Sequence, residues 1–284
     1  MKIYKDYDQQ QLDDQYNTRL RVPWYADYLN RWELSSRQAN LQHAHVSDLA
    51  YGEDPLERLD VFPAPRPDAP VLVFIHGGYW HLLDKSMFDF LATFFVKKNV
   101  TTVVVNYPLA PAASLDQMVQ SCDLALAWVE LNIGTYNGDP KRIFVAGHSA
   151  GGQLAAMLLT QDAGIRIKGV LALSGIFRLE PVFLSYVNGA VQMNKETAVR
   201  NSPVLLRPVN TCPALVVAGQ EESEEFQAQS KELFDCWKGY GQVKHLTISG
   251  RNHYSILDAL VEEGSELALA WEGVMHGFTG HESR

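Results

Sequence analysis

The sequence predicts an α/β fold, in which helices cover both faces of a mainly parallel central sheet. Two observations indicate this class. Short apolar runs of strand length recur along the chain, and from Val71 onward helical patterns alternate with them. Alternation of this kind is typical of right-handed β-α-β crossovers, which place successive strands parallel to one another.

The predicted strands are apolar runs bounded by turn residues: Asp48–Tyr51, Leu56–Phe62, Val71–Ile75, Thr101–Asn106, Arg142–Ala146, Lys168–Ser174, Ala214–Ala218 and Val243–Ile248. The first two precede the region of alternation, so antiparallel pairing remains open for them. The stretch Pro63–Pro70 is predicted to be a turn or loop.

Size and composition indicate a compact protein. With 284 residues and 46% hydrophobic content the chain can bury one core, and we expect a single domain over residues 1–284. No apolar stretch approaches the roughly 20 residues that cross a bilayer, and the first residues lack a signal-peptide hydrophobic region. Cys122, Cys212 and Cys236 form no Cys-x-x-Cys pair and indicate free thiols. We therefore expect a cytoplasmic protein that does not bind membranes.

Charge and motifs narrow the expected partners. The formal net charge of −9 disfavours binding to nucleic-acid phosphates. No Gly-x-Gly-x-x-Gly follows a strand, and neither a His-Glu-x-x-His nor a Gly-Lys-Ser/Thr loop occurs, so no cofactor and no metal is expected. We expect a small-molecule substrate, and the sequence leaves open whether the chain is a monomer or a homodimer.

The first chemical motif is Gly-His-Ser-Ala-Gly, at residues 147–151. It follows an apolar run and precedes the Ala- and Leu-rich stretch Gln153–Leu159, so a serine lies where a strand turns into a helix. This is the context of a nucleophile elbow. Glycines must flank so tight a turn, because a Cβ there would collide with neighbouring backbone. The pattern predicts Ser149 as an exposed, strained nucleophile.

The second motif is His-Gly-Gly-Tyr-Trp, at residues 76–80, which follows a predicted strand. Attack on a carbonyl places negative charge on its oxygen, and N–H groups of a glycine-rich loop can stabilise that charge. We expect Gly78 and Tyr79 to donate these N–H groups and Gly77 to shape the loop. The N–H of Ala150, the residue after the nucleophile, is expected to complete the oxyanion hole.

The general base is predicted to be His253, which follows the apolar run Val243–Ile248 and comes after both the serine and an acidic loop. Five other histidines lack this combination of strand end and chain order: His43, His45, His148, His276 and His281.

The catalytic acid is predicted to lie in the loop that follows the run Ala214–Ala218. The orienting carboxylate commonly falls about three residues beyond the glycine that ends this strand, which selects Glu222, with Glu221 as the alternative. Glu224 and Glu225 fit better as acidic residues at a helix N-terminus. A glutamate suits the role, because the acid has only to fix the imidazole tautomer and stabilise the imidazolium.

These motifs resemble those of α/β-hydrolases of the hormone-sensitive-lipase-like branch, and within it the kynurenine formamidase (arylformamidase) group. The loop at residues 76–80 is similar to that group's HGGxW pattern, and Asn106–Pro111 resembles the branch's Tyr-x-Leu-Ala-Pro segment. The segment Tyr16–Pro23 is similar to bacterial relatives. The resemblance covers essentially the whole chain and implies the α/β-hydrolase fold.

The same resemblance bears on the acid. Glu225-Phe226 and Gln229-Ser230 are similar to the group's acid-loop-to-helix segment, in which the catalytic acid lies four residues before the phenylalanine. This comparison again selects Glu222.

Two segments are predicted near the site. Residues 1–47 show helical spacing of aromatic side chains, which fits either a helix packed on the sheet or a lid. Residues 176–208 interrupt the alternation and fit either a small cap or a crossover helix with an apolar face. Tyr79, Trp80 and Tyr107 are candidate aromatic walls of the substrate pocket, with a place in the core as the alternative for such side chains.

Three functions fit these residues. The first is hydrolysis of an aryl formamide such as N-formylkynurenine, favoured by the HGGxW loop. The second is a carboxylesterase or amidase for short-acyl aryl esters, amides or carbamates. The third is a catalytically inactive α/β-hydrolase that binds a ligand, and the intact Ser149, His253 and acidic loop argue against it. In the first two, the serine attacks a carbonyl and an acyl-enzyme forms.

Overall fold

The computed structural model describes residues 1–162 and 164–276, and an eight-stranded sheet forms its centre. The strands are β1 (Val46–Ala50), β2 (Arg58–Phe62), β3 (Ala69–Ile75), β4 (Thr101–Val105), β5 (Gly138–His148), β6 (Ile167–Leu173), β7 (Ala214–Gly219) and β8 (Val243–Ile248). Each predicted strand has a counterpart here. The main difference is β5, which is longer than predicted and runs directly into the elbow.

The strand order is β1-β2-β4-β3-β5-β6-β7-β8. β1 and β2 are antiparallel to each other, β2 is antiparallel to β4, and the pairs from β4 to β8 are parallel. The predicted fold class is therefore confirmed. The order reverses at β3, because β4 lies on one side of it and β5 on the other. Ligands of open α/β sheets bind beside the carboxyl ends of strands at such a point.

The described residues form twelve α-helices: α1 (Gln9–Tyr16), α2 (Thr18–Arg21), α3 (Tyr25–Gln42), α4 (Phe90–Lys97), α5 (Leu115–Asn132), α6 (Ala150–Leu158), α7 (Glu180–Leu184), α8 (Asn188–Val191), α9 (Lys195–Arg200), α10 (Glu224–Trp237), α11 (Ser255–Val261) and α12 (Glu266–Met275). Three short 3-10 helices are Lys85–Met87, Ile133–Tyr136 and Pro203–Leu205. No helix of the described ranges combines the length and apolar character needed to cross a membrane.

The core lies on both faces of the sheet. All seven residues of β3 are buried, and alternate side chains point to opposite faces. Val73 and Ile75 belong to one hydrophobic cluster, whereas Leu72 and Phe74 belong to a second. A fully apolar strand is what burial on both faces requires.

Helix caps position two of the functional loops. The side chain of Ser223 accepts a hydrogen bond from the N–H of Phe226, 3.4 Å away, and α10 therefore begins directly after the acidic loop. α6 begins at Ala150, directly after Ser149. Because both helices start at the carboxyl ends of parallel strands, their N-termini lie at the same edge of the sheet.

Candidate active site

The turn between β5 and α6 has the geometry of a nucleophile elbow. Ser149 adopts φ 57° and ψ −119°, a strained conformation for a residue with a side chain. A Cβ on Gly147 would lie 2.0 Å from the carbonyl oxygen of Gly151, and a Cβ on Gly151 would lie 2.0 Å from that of Ile75. Both flanking glycines are therefore required sterically, as the sequence predicts.

Ser149 is not exposed, however, and this prediction is wrong. Only 3% of its surface reaches solvent. The elbow lifts the serine above the sheet edge, but other parts of the chain cover it there. Ser149 consequently lies in the lining of a cavity, with almost none of its own surface in contact with solvent.

Three predicted residues form one hydrogen-bonded series. His253 Nε2 lies 3.0 Å from Ser149 Oγ, and His253 Nδ1 lies 2.8 Å from Glu222 Oε2. All three side chains are buried. A neutral His253 with its proton on Nδ1 would donate to Glu222 and present an acceptor to the serine hydroxyl, which is the arrangement general-base catalysis needs.

The carboxylate of Glu222 is held at both oxygens. Its Oε1 accepts hydrogen bonds from the N–H of Gly219 and from Ser174 Oγ, each at 2.6 Å, and its Oε2 faces His253. Glu221, the sequence-based alternative, is exposed. The contribution of Ser174 was not predicted, although it follows the buried strand β6 directly and so lies at the edge of the sheet where the site forms.

The other two glutamates lie in the first turn of α10, as predicted. Glu225 is buried and pairs with Lys5 Nζ at 2.8 Å, whereas Glu224 is exposed. Both are placed where the helix dipole favours negative charge.

The loop after β3 has an unusual backbone conformation. Gly78, Tyr79 and Trp80 have φ values of 109°, 50° and 60°. A Cβ on Gly78 would lie 2.1 Å from the carbonyl oxygen of Leu82, so only glycine fits there. At Gly77 an added Cβ would lie 3.0 Å from Ser149 Cβ, which places the start of this loop against the nucleophile.

Within the described ranges, no protein acceptor is hydrogen-bonded to the N–H groups of Gly78, Tyr79 and Ala150. Ala150 is the first residue of α6, where an N–H has no partner inside the helix. The three groups predicted to form an oxyanion hole are thus free to bind an anionic oxygen.

Trp80 and Tyr107 do not line the cavity, and their assignment to the pocket is corrected. Both are fully buried. Trp80 Nε1 donates to Gln153 Oε1 at 3.0 Å, and Tyr107 Oη donates to the carbonyl oxygen of His76 at 2.9 Å. The N–H of Ala110 also donates to the carbonyl oxygen of Trp80 at 2.8 Å. Each aromatic ring is more stable in the core, where its polar atom finds a partner, and these hydrogen bonds hold the loop in place.

A cavity of about 390 Å³ opens above the serine. The loops that carry the reacting groups line it with Gly78, Tyr79, His148, Ser149, His253 and Tyr254. The N-terminal residues 1–47 contribute Asn17, Thr18, Arg19, Tyr25, Leu29 and Trp32. Residues 176–208 contribute Tyr186, Val187 and Ala190. Both segments singled out from the sequence therefore form walls of the cavity, and the side chains of residues 17–19 are ones that sequence reasoning missed.

His148 supports the loop that carries His253. Its Nε2 lies 2.8 Å from the carbonyl oxygen of His253, so this nitrogen carries the proton and donates it. Burial lowers the pKa of His148 well below its ordinary value, and the electrostatic effect of the neighbouring His253 acts in the same direction. His148 therefore remains neutral and holds the backbone of His253 in place. His43, His45 and His276 lie away from the cavity lining, and His281 lies outside the described residues.

No group of three or more His, Cys, Asp or Glu side chains within residues 1–162 and 164–276 is arranged to hold a metal ion. The arrangement supports acyl transfer by a serine: a nucleophile, a base, an orienting acid and free N–H donors converge on one cavity. Fold and site together define a serine hydrolase of the α/β type.

Comparison with known proteins shows the family to which the chain belongs. A family model described as the alpha/beta hydrolase fold matches residues 72–242. Kynurenine formamidase from Danio rerio is 33% identical over 93% of this chain and 95% of its own length. Kynurenine formamidase from Salmo salar is 29% identical over 92% of this chain and 95% of its own length. The chain belongs to the alpha/beta hydrolase family, in the group that contains these kynurenine formamidases.

Solved structures share the fold. A candidate thioesterase from a Silicibacter species has a TM-score of 0.82 at 28% identity and covers 91% of this chain and 98% of that chain. A hyperthermophilic esterase from the archaeon Pyrobaculum calidifontis has a TM-score of 0.71 at 19% identity and covers 92% and 94%.

Proposed function

We propose that the enzyme hydrolyses a small aryl formamide such as N-formylkynurenine through a formyl-enzyme on Ser149. The observation that carries this proposal is the similarity to kynurenine formamidases over nearly the whole chain. The cavity supports it, because its volume of about 390 Å³ lies within the range of ~300–1,000 Å³ common for small-molecule sites.

The mechanism follows from the hydrogen-bonded series. Ser149 Oγ attacks the formyl carbon while His253 Nε2 takes the hydroxyl proton, and Glu222 stabilises the imidazolium that results. The N–H groups of Gly78, Tyr79 and Ala150 bind the oxyanion. When the C–N bond breaks, His253 returns its proton to the leaving arylamine nitrogen.

Deacylation repeats these steps with water. His253 removes a proton from a water molecule, which attacks the formyl carbon of the ester, and the serine leaves with the proton from His253. The products are formate, the arylamine and free enzyme. Atoms and charges balance without any cofactor.

The second candidate is a carboxylesterase or amidase for short-acyl aryl substrates. The similarity to the candidate thioesterase favours it, because hydrolysis of an ester or thioester uses the same groups in the same order. The two functions differ only in which acyl and leaving groups fit the cavity.

The test compares kcat/KM for N-formylkynurenine with that for p-nitrophenyl esters from acetyl to octanoyl. We expect the formamide and the acetyl ester to be cleaved much faster than the octanoyl ester, since a site that fits a formyl group excludes long acyl chains. A kcat/KM that rises with chain length would contradict the formamidase, because each buried methylene would then contribute its ~0.8 kcal/mol. Turnover of short esters without formamide hydrolysis would establish the second candidate.

The nucleophile is tested with the Ser149→Ala variant. We expect kcat to fall by several orders of magnitude to a residual rate, which remains because substrate binding and the oxyanion donors are kept. The far-UV circular dichroism spectrum should stay unchanged. A serine-directed organophosphonate should label the wild type at Ser149 and leave the variant unlabelled. Near-complete activity in the purified variant would exclude the serine mechanism.

We also propose a reducing, cytoplasmic setting and a small-molecule substrate. Support comes from Cys122, Cys212 and Cys236, which are free thiols, and from the net charge of −9, which disfavours nucleic acids. Size-exclusion chromatography with light scattering would distinguish a monomer from a homodimer.

A further inference from the structure

Among the described side chains that line the cavity, the permanent charge is positive. Of the described residues that line it, Arg19 is the one arginine or lysine, and none is an aspartate or a glutamate. The remaining lining consists of aromatic, aliphatic and neutral polar side chains and three histidines. A bound molecule would therefore meet a permanent positive charge without a compensating carboxylate.

Arg19 lies at the rim of the cavity in α2. Its guanidinium carbon is 4.9 Å from the ring centroid of Tyr25, and its side chain is exposed. Burial raises the pKa values of Tyr186 and Tyr254, and the charge of Arg19 opposes that rise in both. The guanidinium thus stacks on Tyr25 and lies near enough to Tyr186 and Tyr254 to affect their pKa values.

Arg19 forms no ion pair with a described carboxylate. Other arginines behave differently: Arg31 pairs with Asp258 at 2.6 Å, and Arg200 pairs with Asp116 at 2.5 Å. An arginine that stacks on an aromatic ring and has no carboxylate partner is suited to bind a planar anion from solvent.

The position of α2 is tied to the reacting groups. Thr18 Oγ1 and Tyr254 Oη are 2.9 Å apart, and Tyr254 directly follows His253. The side chain of Asn17 caps α2 by accepting from the N–H of Leu20 at 3.1 Å. The backbone of Arg19 is therefore anchored beside the loop that carries His253, which suits a substrate-positioning residue.

We propose that Arg19 binds a carboxylate on the leaving-group side of the substrate and so makes the enzyme selective for anionic aryl formamides. This inference rests on the proposed function. A formamide of the N-formylkynurenine type carries a carboxylate on its side chain, remote from the formyl group that Ser149 attacks. The described lining offers no carboxylate to pair with the α-ammonium group, so we expect that group to contribute little to binding.

The kinetic test uses three formamides: N-formylkynurenine, the analogue that lacks only its α-carboxylate, and the analogue that lacks only its α-amino group. For the wild type we expect KM to be about tenfold or more higher without the carboxylate and nearly unchanged without the amino group. Arg19→Gln should remove this preference by raising KM for both carboxylate substrates with kcat little changed. Arg19→Lys should restore part of it, since ammonium keeps the charge without the planar fork.

Arg37→Gln is the matched control, because it removes the same charge from an exposed side chain of α3 that does not line the cavity. It should leave all three KM values unchanged. An equal loss for all substrates in Arg19→Gln would show a structural role and overturn the inference. So would an unchanged preference for the carboxylate.

A binding measurement separates this inference from the proposed function. Calorimetry with Ser149→Ala and with Ser149→Ala/Arg19→Gln should show that kynurenine binds at least about tenfold more weakly to the double variant, whereas the decarboxylated arylamine binds both equally. Equal binding of kynurenine to both variants would overturn the role of Arg19. If the wild type cleaves none of the formamides, the proposed function fails, and this binding result alone decides the role of Arg19.

Discussion

At the scale of single residues, the site depends on buried side chains whose polar atoms all have hydrogen-bond partners. Glu222 shows this most clearly, because each of its oxygens has a partner: His253 for Oε2, and Gly219 N–H with Ser174 Oγ for Oε1. A group held this way cannot be exchanged for one with a different donor and acceptor pattern without leaving a buried atom unpaired.

Glu222→Gln should therefore lower kcat by roughly a thousandfold or more. An amide has one acceptor and one donor, so either His253 loses its acceptor or the Gly219 N–H faces an NH₂ group. Glu221→Gln is the control, since Glu221 is exposed in the same loop, and its kcat should stay close to that of the wild type. The opposite ranking of the two variants would assign the catalytic acid to Glu221.

Trp80→Phe tests the support of the oxyanion loop. The change keeps an aromatic ring but removes the donor to Gln153 Oε1, whose burial without a partner costs about 1–3 kcal/mol. We expect urea denaturation to show that loss and kcat to fall more than KM changes, because the loop carries the N–H of Tyr79. Trp24→Phe, at an indole that is 56% exposed, should alter neither quantity. Unchanged stability in Trp80→Phe would mean that the hydrogen bond contributes little.

At the scale of elements, the N-terminal helices connect the loops around the site. The carbonyl oxygen of Tyr16, at the end of α1, accepts from Tyr79 Oη at 2.5 Å and from Tyr186 Oη at 3.4 Å. The hydroxyl of Tyr16 accepts from Gln229 Nε2 on α10 at 2.6 Å. The oxyanion loop, residues 176–208 and the helix after the acid are thus joined through one residue.

Tyr79→Phe should loosen this connection. Loss of the phenol removes the bond to Tyr16 while the ring stays in place, so amide hydrogen exchange in α1 and α2 should become faster and kcat/KM should fall several-fold. Tyr7→Phe is a control on the same segment, because the Tyr7 hydroxyl contacts Glu224 at an exposed position, 3.3 Å away. Equal exchange in both variants would show that the Tyr79 hydroxyl does not hold the segment.

Single residues of the site could be predicted from the sequence, whereas contacts between distant elements could not. Ser149, Glu222 and His253 could be located because each follows a strand, and parallel strands bring their carboxyl ends to one edge. Trp80 was misplaced because its preference for the core depends on Gln153, an acceptor on another element. Arg19 was missed because nothing in the local pattern of α2 shows that this helix lies over a serine far along the chain.

At the scale of the whole molecule, stability is coupled to pH through a buried acid. Burial, and then the charge of Asp60, raise the pKa of Asp89 to about 7. Asn40 Nδ2 donates to Asp89 Oδ2 at 3.0 Å, while Asp89 Oδ1 and Asn40 Oδ1 are both without partners among the described residues. If Asp89 is protonated, its Oδ1 hydroxyl can donate a hydrogen bond to Asn40 Oδ1, which gives both of these buried atoms a partner.

Because the folded state holds this proton more tightly than the unfolded chain, the contribution of Asp89 to stability is present at low pH. It is lost as the pH rises from the ordinary value of 3.8 to about 7. Asp89→Asn should remove that dependence, so the urea midpoint of the variant should exceed that of the wild type increasingly up to about pH 7. Asp6→Asn, at an exposed carboxylate, should show no such trend. A constant difference between Asp89→Asn and wild type across pH would contradict the assignment.

The hydrogen bonds made by residues 16–18 also affect the order in which parts of the protein fold. Tyr16 is separated from Gln229 by 213 positions, and Thr18 from Tyr254 by 236. During synthesis Tyr16 and Thr18 have no such partners while the strands from β3 to β7 emerge and pair. Contacts so distant along the chain form late, since the entropy of closing the intervening loop must be overcome first. A nascent chain therefore lacks the bonds of residues 16–18 to α10 and to the histidine loop, and we expect hydrolysis to begin only after β8 and His253 have left the ribosome.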